Sequence, residues 1–205
     1  MIIFDIETVK NPEMEKFVEQ TEAPSNYKDE KKIAEYIKAK TEEKKDKMAL
    51  DLDFCTIRAM AWNIGTECIE PEIHVINTIE EEIKALEDFW NASEGKYLCG
   101  YNIIGFDLPI IIRRSWVLPI MNYRKISISR YNAEIIDLMY RLYYDQIKDF
   151  KKLDKVCDIY GINNLMPGYD GSMVKDMDDK TIKHYCLNDL RMTCQLAKKM
   201  QGVYI

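Results

Sequence analysis

Two carboxylates separated by one residue stand near the start of the chain, inside an apolar run. The first nine residues read Met-Ile-Ile-Phe-Asp-Ile-Glu-Thr-Val, which is the composition of a short buried strand. Side chains alternate between the two faces of a strand, so Asp5 and Glu7 share one face while Phe4 and Ile6 point into the core. Close carboxylates repel one another unless a cation lies between them, and oxygen ligands suit Mg²⁺ or Mn²⁺. The pair therefore predicts a metal site, and the alternative is an edge strand whose outer face is acidic.

Two further acids occupy positions that suit the same chemistry. Asp107 follows the end of a predicted strand, and Asp189 lies in the apolar-facing register of the last predicted helix, where an unpaired carboxylate is costly. Four carboxylates on three separate elements are the ligand set of a two-metal phosphodiesterase, which activates a water and stabilises the leaving oxygen. Tyr185 lies four residues before Asp189, on the same helix face, and is placed to orient that water.

Strands must position these acids, and the apolar pattern predicts five of them. Residues 54–64 and 68–76 read as a hairpin turning around Gly65, which joins the first strand in an antiparallel meander. Residues 97–101 form a fourth predicted strand, and residues 126–136 hold a fifth.

Helical periodicity and capping residues predict the helices between and after these strands. At 205 residues the chain is long enough for one domain with a substantial core and too short for two ordinary ones. We expect a single domain over residues 1–205 with a charged helical insertion at about residues 10–52. The predicted helices cover residues 29–48, residues 79–90 after a Thr78 cap, a segment that opens at Phe106 with Pro109 in its first turn, residues 137–144, residues 150–160, and a last helix from Asp178 or Asp179 to about Met200.

The charge balance of the chain is acidic, with 29 Lys and Arg against 35 Asp and Glu. Such a protein does not hold a polyanion through a general positive field, so any nucleic acid must bind at a local basic surface.

Six cysteines without a Cys-x-x-Cys pair are typical of reduced thiols. No basic leader and no apolar run of about 18 residues is present. We therefore expect a soluble cytoplasmic protein that does not bind a membrane.

One sustained basic stretch stands out, because residues 108–133 contain no acid. Cations interleaved with aromatic rings suit a single strand, with the cations on phosphates and the rings under bases. The alternative is that the arginines face outward and the aromatic residues belong to the core. The five lysines against three acids in residues 38–47 favour a solvated helix face instead. The candidate phosphate-binding residues are Arg113, Arg114, Arg124, Lys125 and Arg130, with Trp116, Tyr123 and Tyr131 among them.

Three motifs together resemble the DnaQ-like 3'-5' exonucleases, which use four acidic residues. Their order and spacing span nearly the whole chain, and jointly they are highly specific. The second motif is most similar to the branch related to the proofreading domain of family B DNA polymerases. The motifs are Phe4-Asp5-Ile6-Glu7-Thr8, Gly100-Tyr101-Asn102 through Phe106-Asp107-Leu108-Pro109, and Tyr185-Cys-Leu-Asn-Asp189.

The resemblance implies an RNase H-like α/β fold, in which a mixed five-stranded sheet is flanked by helices. It also implies release of 5'-mononucleotides from a DNA 3' end with two Mg²⁺ or Mn²⁺ ions. Asp5, Glu7 and Asp189 would hold the nucleophile-side ion, and Asp5 with Asp107 would hold the other. Tyr185 would orient the attacking water.

Other residues of the matched motifs would bind substrate. Thr8 belongs to the first motif, and Asn102 and Phe106 would support the second motif and the terminal nucleotide. Within this family the last motif carries either a tyrosine or a histidine, and the neighbours His184 and Tyr185 satisfy both spacings. We favour Tyr185, because a residue four positions before Asp189 shares its helix face whereas one five positions before is rotated away.

The resemblance leaves several functions open. Nucleic acid is the expected partner, in particular the 3' end of single-stranded DNA. A 3'-5' exoribonuclease acting on short RNA and a catalytically inactive nucleic-acid-binding module are the alternatives. No polymerase palm or fingers follow the motifs before Ile205, so we expect a stand-alone nuclease or a subunit beside a separate polymerase or repair partner.

Overall fold

A mixed five-stranded sheet forms the centre of the protein in the computed structural model, which describes residues 1–19, 21–143 and 149–202. The strand order is β3-β2-β1-β4-β5, with β1 pairing antiparallel to β2 and parallel to β4. β2 and β3 are antiparallel, whereas β4 and β5 are parallel. The strands are β1 (Ile2–Lys10), β2 (Cys55–Ile64), β3 (Glu72–Val75), β4 (Leu98–Gly100) and β5 (Ile135–Asp137).

Helices cover both faces of the sheet, which confirms the predicted α/β architecture. One hydrophobic cluster lies between the sheet and the layer of α2 and α3, and it contains Phe4 and Phe89. The second cluster lies on the opposite face, where Ile3 packs with residues of α5 and α6. The helices are α1 (Glu30–Lys47), α2 (Ile79–Ser93), α3 (Asp107–Val117), α4 (Leu138–Leu142), α5 (Leu153–Ile159) and α6 (Asp179–Met200).

Capping residues set several helix boundaries as the sequence predicts. The Thr78 side chain accepts a hydrogen bond from the Glu81 amide, and the Glu81 side chain accepts one from the Thr78 amide, so a capping box begins α2. Asp29 caps α1 and Asp178 caps α6. None of the residues of α1, all of which the structure describes, is buried, as expected for a solvated helix.

Three elements are shorter than the sequence suggests. β3 spans Glu72–Val75 rather than residues 68–76, since Cys68 has a positive φ of 50° that interrupts an extended strand. β5 spans only Ile135–Asp137, because a turn precedes it, in which the Asn132 amide donates to the Ser129 carbonyl and the Asn132 side chain donates to the Ser127 carbonyl. α5 begins at Leu153 rather than at residue 150.

Three further observations concern the end of one helix, the apolar content of the helices and the cysteines. The predicted helix over residues 137–144 is observed as Leu138–Leu142, and residue 144 lies outside the described residues. None of the helices in the described part of the chain is long and apolar enough to cross a membrane. All six cysteines are free thiols, as the absence of paired spacing suggests.

A buried ion pair joins α2 to α3. The Arg114 guanidinium donates to Glu82 from Nε at 2.7 Å and from Nη2 at 2.8 Å. Glu82 also accepts hydrogen bonds from the Thr56 hydroxyl at 2.9 Å and the Ile57 amide at 3.3 Å. Arg114 is 7% exposed and Glu82 is 1% exposed. This pairing neutralises the Arg114 charge inside the protein and argues against the predicted contact of Arg114 with substrate.

The buried pair makes Arg114 and its neighbour respond differently to truncation. Arg114→Ala should lower the free energy of unfolding by about 3–5 kcal/mol, since Glu82 is left buried without its counter-charge. Arg113→Ala is the matched control, because Arg113 pairs with Asp53 at the surface and should change stability little. Urea unfolding of the two variants measures the difference, and equal losses would contradict a structural role for the buried pair.

Candidate active site

Three acids from β1 and α6 converge on one face of the sheet. One carboxylate oxygen each from Asp5, Glu7 and Asp189 lies within 4.8 Å of the others. Asp5 and Glu7 reach this face because β1 places alternate side chains on opposite sides, and α6 packs across the same side. The sequence pattern predicts that these three carboxylates lie close together, and in the structure they do.

Asp107 reaches the same region from the start of α3. Strand β4 pairs with β1 only at Ile2 and Ile3, so the Ile6 amide has no strand partner on that side. The Asp107 Oδ1 atom accepts a hydrogen bond from this Ile6 amide at 3.1 Å. Asp107 is thereby fixed to the residue that lies between Asp5 and Glu7.

Burial and mutual repulsion make these carboxylates hard to ionise without a cation. Burial raises the pKa of Asp5 well above its usual value, and repulsion by Glu7, Asp107 and Asp189 raises it further. The pKa of Glu7 is raised in the same way, first by burial and then by Asp189 and Asp107. Burial also raises the pKa of Asp107 to about 7 and that of Asp189 to about 6. The cluster therefore favours a bound positive charge.

One atom of the cluster tests whether a metal ion fits. The Oδ2 atom of Asp5 is buried and has no hydrogen-bond partner among the described residues. A buried carboxylate oxygen without a partner is costly, and here it lies beside two further carboxylates that offer oxygen ligands. Oxygen-only ligands are those that Mg²⁺ and Mn²⁺ prefer, so the residues present fit a divalent ion.

Tyr185 faces the acids, whereas His184 does not. Tyr185 is 8% exposed, and its hydroxyl donates a hydrogen bond to Asp189 that lowers the pKa of that carboxyl against the effect of burial. Burial, followed by repulsion from Asp189, Glu7 and Asp5, raises the pKa of Tyr185 itself. His184 is exposed and lines a separate surface cavity with Leu165. The tyrosine is thus the residue of the pair that contacts the acidic cluster.

The loop of the second motif has a specific backbone geometry. Asn102 adopts a positive φ of 61°, and its carbonyl accepts hydrogen bonds from the Gly105 and Phe106 amides, each at 3.1 Å. The Ile103 carbonyl accepts the Leu108 amide at 2.9 Å. Phe106 is half-buried and packs against the core cluster beneath α3. Asn102 and Phe106 therefore shape the turn that precedes Asp107, which agrees with a supporting role for both.

A buried acid that the sequence analysis missed holds this loop. Asp137 is 2% exposed at the end of β5, and its carboxylate accepts hydrogen bonds from the Asn102 amide at 3.0 Å and the Ile104 amide at 2.9 Å. It also accepts the Met139 amide at 3.0 Å, as the N-cap of α4. An aspartate between an apolar strand and a helix is a normal N-cap signal, so the sequence indicates the capping of α4 but not the contacts to the loop.

The other candidate substrate-binding residues differ in the contacts that their side chains make within the protein. Arg124 donates to the Lys96 carbonyl at 2.6 Å and pairs with Glu134 at 2.7 Å, so it anchors its own loop rather than facing solvent. Arg130 stacks over the Tyr131 ring at 4.8 Å, and Lys125 is exposed.

Thr8 is also engaged within the protein. Its hydroxyl donates to the Ala49 carbonyl at 2.6 Å, which ties the insertion to the end of β1. Thr8 alternates with Glu7 along the strand and so points to the opposite face from the acids. The hydroxyl of Thr8 therefore serves a structural contact in this conformation.

A cavity of about 370 Å³ opens beside Tyr185 and Asp189. Its walls include Lys152, Asn164 and Tyr169, and two of these come from the loop between α5 and α6. This loop includes residues 163–171, whose Gly, Pro and Asn content is typical of a connecting segment. The structure places it along the wall of the cavity that adjoins the acids.

Comparisons with known proteins extend the fold assignment. No protein-family model and no curated protein matches the chain. Among solved structures, the chain is similar to the family B DNA polymerase from the hyperthermophilic archaeon Pyrobaculum calidifontis, with a TM-score of 0.58 and 20% sequence identity. The match covers 97% of this chain and 24% of the polymerase chain, so the chain spans about a quarter of the polymerase's length.

At this level of identity the likeness shows the fold. The protein has an α/β fold with a mixed five-stranded sheet flanked by helices, consistent with an RNase H-like fold. The predicted fold class is confirmed, because the observed mixed five-stranded sheet and the similarity to the polymerase structure both agree with it.

The raised pKa values predict how the metal-free protein responds to pH. The folded state binds more protons than the unfolded state between about pH 4 and about pH 7, since the pKa of Asp107 is about 7 and that of Asp189 about 6 in the fold. Stability should therefore fall as pH rises through this window, and Asp5→Asn should flatten the fall. Thermal unfolding in EDTA measures both slopes.

A matched control separates this effect from general titration. Asp178 is exposed and its pKa is lowered by the Thr181 hydrogen bonds, so Asp178→Asn should not flatten the fall with rising pH. Mn²⁺ should raise Tm more at pH 7 than at pH 5, because protons compete for the same oxygens. An Asp5→Asn protein with the wild-type slope would contradict the repulsive cluster.

Proposed function

We propose that the chain is a metal-dependent 3'-5' exonuclease that hydrolyses DNA phosphodiester bonds from the 3' end and releases 5'-mononucleotides. The observation that carries the proposal is the convergence of Asp5, Glu7 and Asp189, with Asp107 hydrogen-bonded to the strand between the first two. Four carboxylates from three elements in one buried patch are expensive without cations, and structural carboxylates are normally paired with basic side chains.

The residues present would hold two Mg²⁺ or Mn²⁺ ions. Asp5, Glu7 and Asp189 would ligate one ion, and Asp5 with Asp107 would ligate the other. When bound, such a pair of ions supplies activation of the attacking water and neutralisation of charge on the phosphate and the leaving oxygen. Asp5 would take part in both sites, which agrees with its buried Oδ2 atom having no protein partner among the described residues.

Tyr185 would act by orientation. Its raised pKa keeps the hydroxyl protonated at working pH, so the residue is a hydrogen-bond donor rather than a general base. The hydroxyl already contacts Asp189, and in a substrate complex it would lie beside the attacking water. Orientation of a nucleophile lowers the barrier by reducing the positional entropy that the reaction must otherwise remove.

Substrate would be a single strand whose 3' end enters the cavity beside Tyr185. Tyr169 and Lys152 line that cavity and offer a ring for stacking and a cation for phosphate. Arg113, Lys125 and Arg130 remain candidates for contacts further along the strand. A separate polymerase or repair partner would supply the biological context, as the likeness to part of a polymerase suggests.

The first experiment follows hydrolysis of a 5'-labelled DNA strand with Mg²⁺ and with EDTA. Asp5→Asn should keep the fold and remove nearly all activity, because one substitution removes a ligand of both ions. A labelled RNA strand of the same sequence, run in parallel, separates a DNA exonuclease from an exoribonuclease. Activity of Asp5→Asn within about tenfold of wild type would overturn the two-ion mechanism.

A second experiment distinguishes the two neighbours on α6. Tyr185→Phe should lower the maximal rate by about tenfold to a hundredfold without abolishing it, since orientation is lost while the ligand carboxylates remain. His184→Ala should leave the rate nearly unchanged, because His184 is exposed and faces another cavity. Both variants are assayed across pH beside wild type. An acidic limb that disappears in His184→Ala, with a normal Tyr185→Phe enzyme, would assign the role to the histidine instead.

A further inference from the structure

Asp137 makes hydrogen bonds beyond those of a helix N-cap. Its Oδ1 atom accepts the Asn102 amide and the Met139 amide, and its Oδ2 atom accepts the Ile104 amide. The contact to Met139 caps α4, which any N-cap aspartate would do. The contacts to residues 102 and 104 reach 35 and 33 positions back along the chain, to the loop that leads into Asp107.

The loop between β4 and α3 needs an external anchor. The chain leaves the sheet at Gly100, where an added Cβ would lie 2.8 Å from the Phe4 carbonyl oxygen, and it turns through the positive φ of Asn102. Only a few residues then separate this turn from Asp107. Positive φ is uncommon for a non-glycine residue, although asparagine tolerates it best, so contacts around the turn help to hold Asn102 there.

The anchor and the acidic cluster are connected through this loop. Asp137 fixes the amides at the start of the turn, and Asp107 at its end accepts the Ile6 amide of β1. Two buried carboxylates thus act in series. Asp137 lies outside the acidic cluster and holds the loop. Asp107 lies inside the cluster and is positioned by that loop.

We propose that Asp137 is a positioning residue that keeps Asp107 in place to ligate a divalent cation. The role rests on the proposed function only in its use of the cation, because the loop geometry itself is independent of hydrolysis. Residues that orient metal ligands without touching the metal commonly change its affinity by about tenfold or more when they are substituted.

A carboxylate is needed at this position for a simple reason of hydrogen-bond chemistry. Three backbone N–H groups converge on the side chain of residue 137, so both of its oxygens must accept. In Asp137→Asn one oxygen is replaced by an NH₂ group, which cannot accept and opposes at least one of the backbone donors. The substitution should then weaken the hydrogen bonds from the loop amides of Asn102 and Ile104, while the size of the side chain is unchanged.

The test compares Asp137→Asn with Glu82→Gln as a matched control. Glu82 is also a buried carboxylate with a backbone donor, but its partners are the Ile57 amide of β2 and the Arg114 side chain near the end of α3, not the loop before Asp107. Three quantities are measured for each variant: Tm, amide hydrogen exchange over residues 102–108 without metal, and the affinity for Mn²⁺ by calorimetry. Asp137→Ser, which keeps a cap for α4 without reaching the loop, replaces Asp137→Asn if the latter does not fold.

The expected result is specific to the loop. Asp137→Asn should speed exchange over residues 102–108 and weaken the weaker Mn²⁺ site by about tenfold. Glu82→Gln should lower Tm but leave both of these quantities as in wild type. Unchanged exchange and Mn²⁺ affinity in Asp137→Asn, or equal changes in Glu82→Gln, would overturn the proposal.

Failure of the proposed function would look different. A wild-type protein that does not hydrolyse DNA or RNA, but whose Mn²⁺ affinity and loop exchange respond to Asp137→Asn as expected, would remove the exonuclease assignment and retain the positioning role. An Asp137→Asn protein that hydrolyses DNA at the wild-type rate at every Mn²⁺ concentration would retain the exonuclease assignment and remove the positioning role.

Discussion

Repulsion among buried carboxylates is the constraint on which this fold depends. Asp5, Glu7 and Asp189 place oxygens within 4.8 Å of one another, and burial together with repulsion raises their pKa values. Side chains under such repulsion stay together only if the backbone that carries them is rigid. Strand β1 provides that rigidity, because β2 pairs with it along its whole length, Asp107 holds the Ile6 amide on the other edge, and helices cover both faces of the sheet.

Local periodicity explains which parts of the site the sequence predicted. Asp5 and Glu7 follow from the two-residue period of a strand, and the face shared by Tyr185 and Asp189 follows from the helical period. The basic stretch was harder to interpret, because a run of cations does not reveal which of them meet an acid in the fold. Arg114 pairs with Glu82, which lies 32 positions earlier in the chain, and the packing of α2 on α3 determines this pairing.

Long-range contacts also explain why the short length of β5 and the loop contacts of Asp137 were not predicted, although the fifth strand itself was. The strand ends where its neighbour does, since Gly100 of β4 is the register partner of Asp137. Beyond that pair the backbone amides of the next loop have no strand to bind, and the Asp137 carboxylate accepts them instead. Nothing in the local sequence around residue 137 specifies these partners, because they are contributed by a loop more than 30 positions earlier.

The charged segment of residues 10–52 bears on how the DNA strand of the proposed function would reach the acids. Its end is tied to β1 one residue after Glu7 by the hydrogen bond from Thr8 to Ala49, and Asp46 lies 4.0 Å from Lys175 of the 3-10 helix that precedes α6. Two segments remote in sequence therefore meet near the end of β1. The exposed ion pair adds little stability, so the buried hydroxyl contact is what fixes this arrangement. We therefore expect the DNA strand of the proposed function to approach from the cavity beside Tyr185 and Asp189.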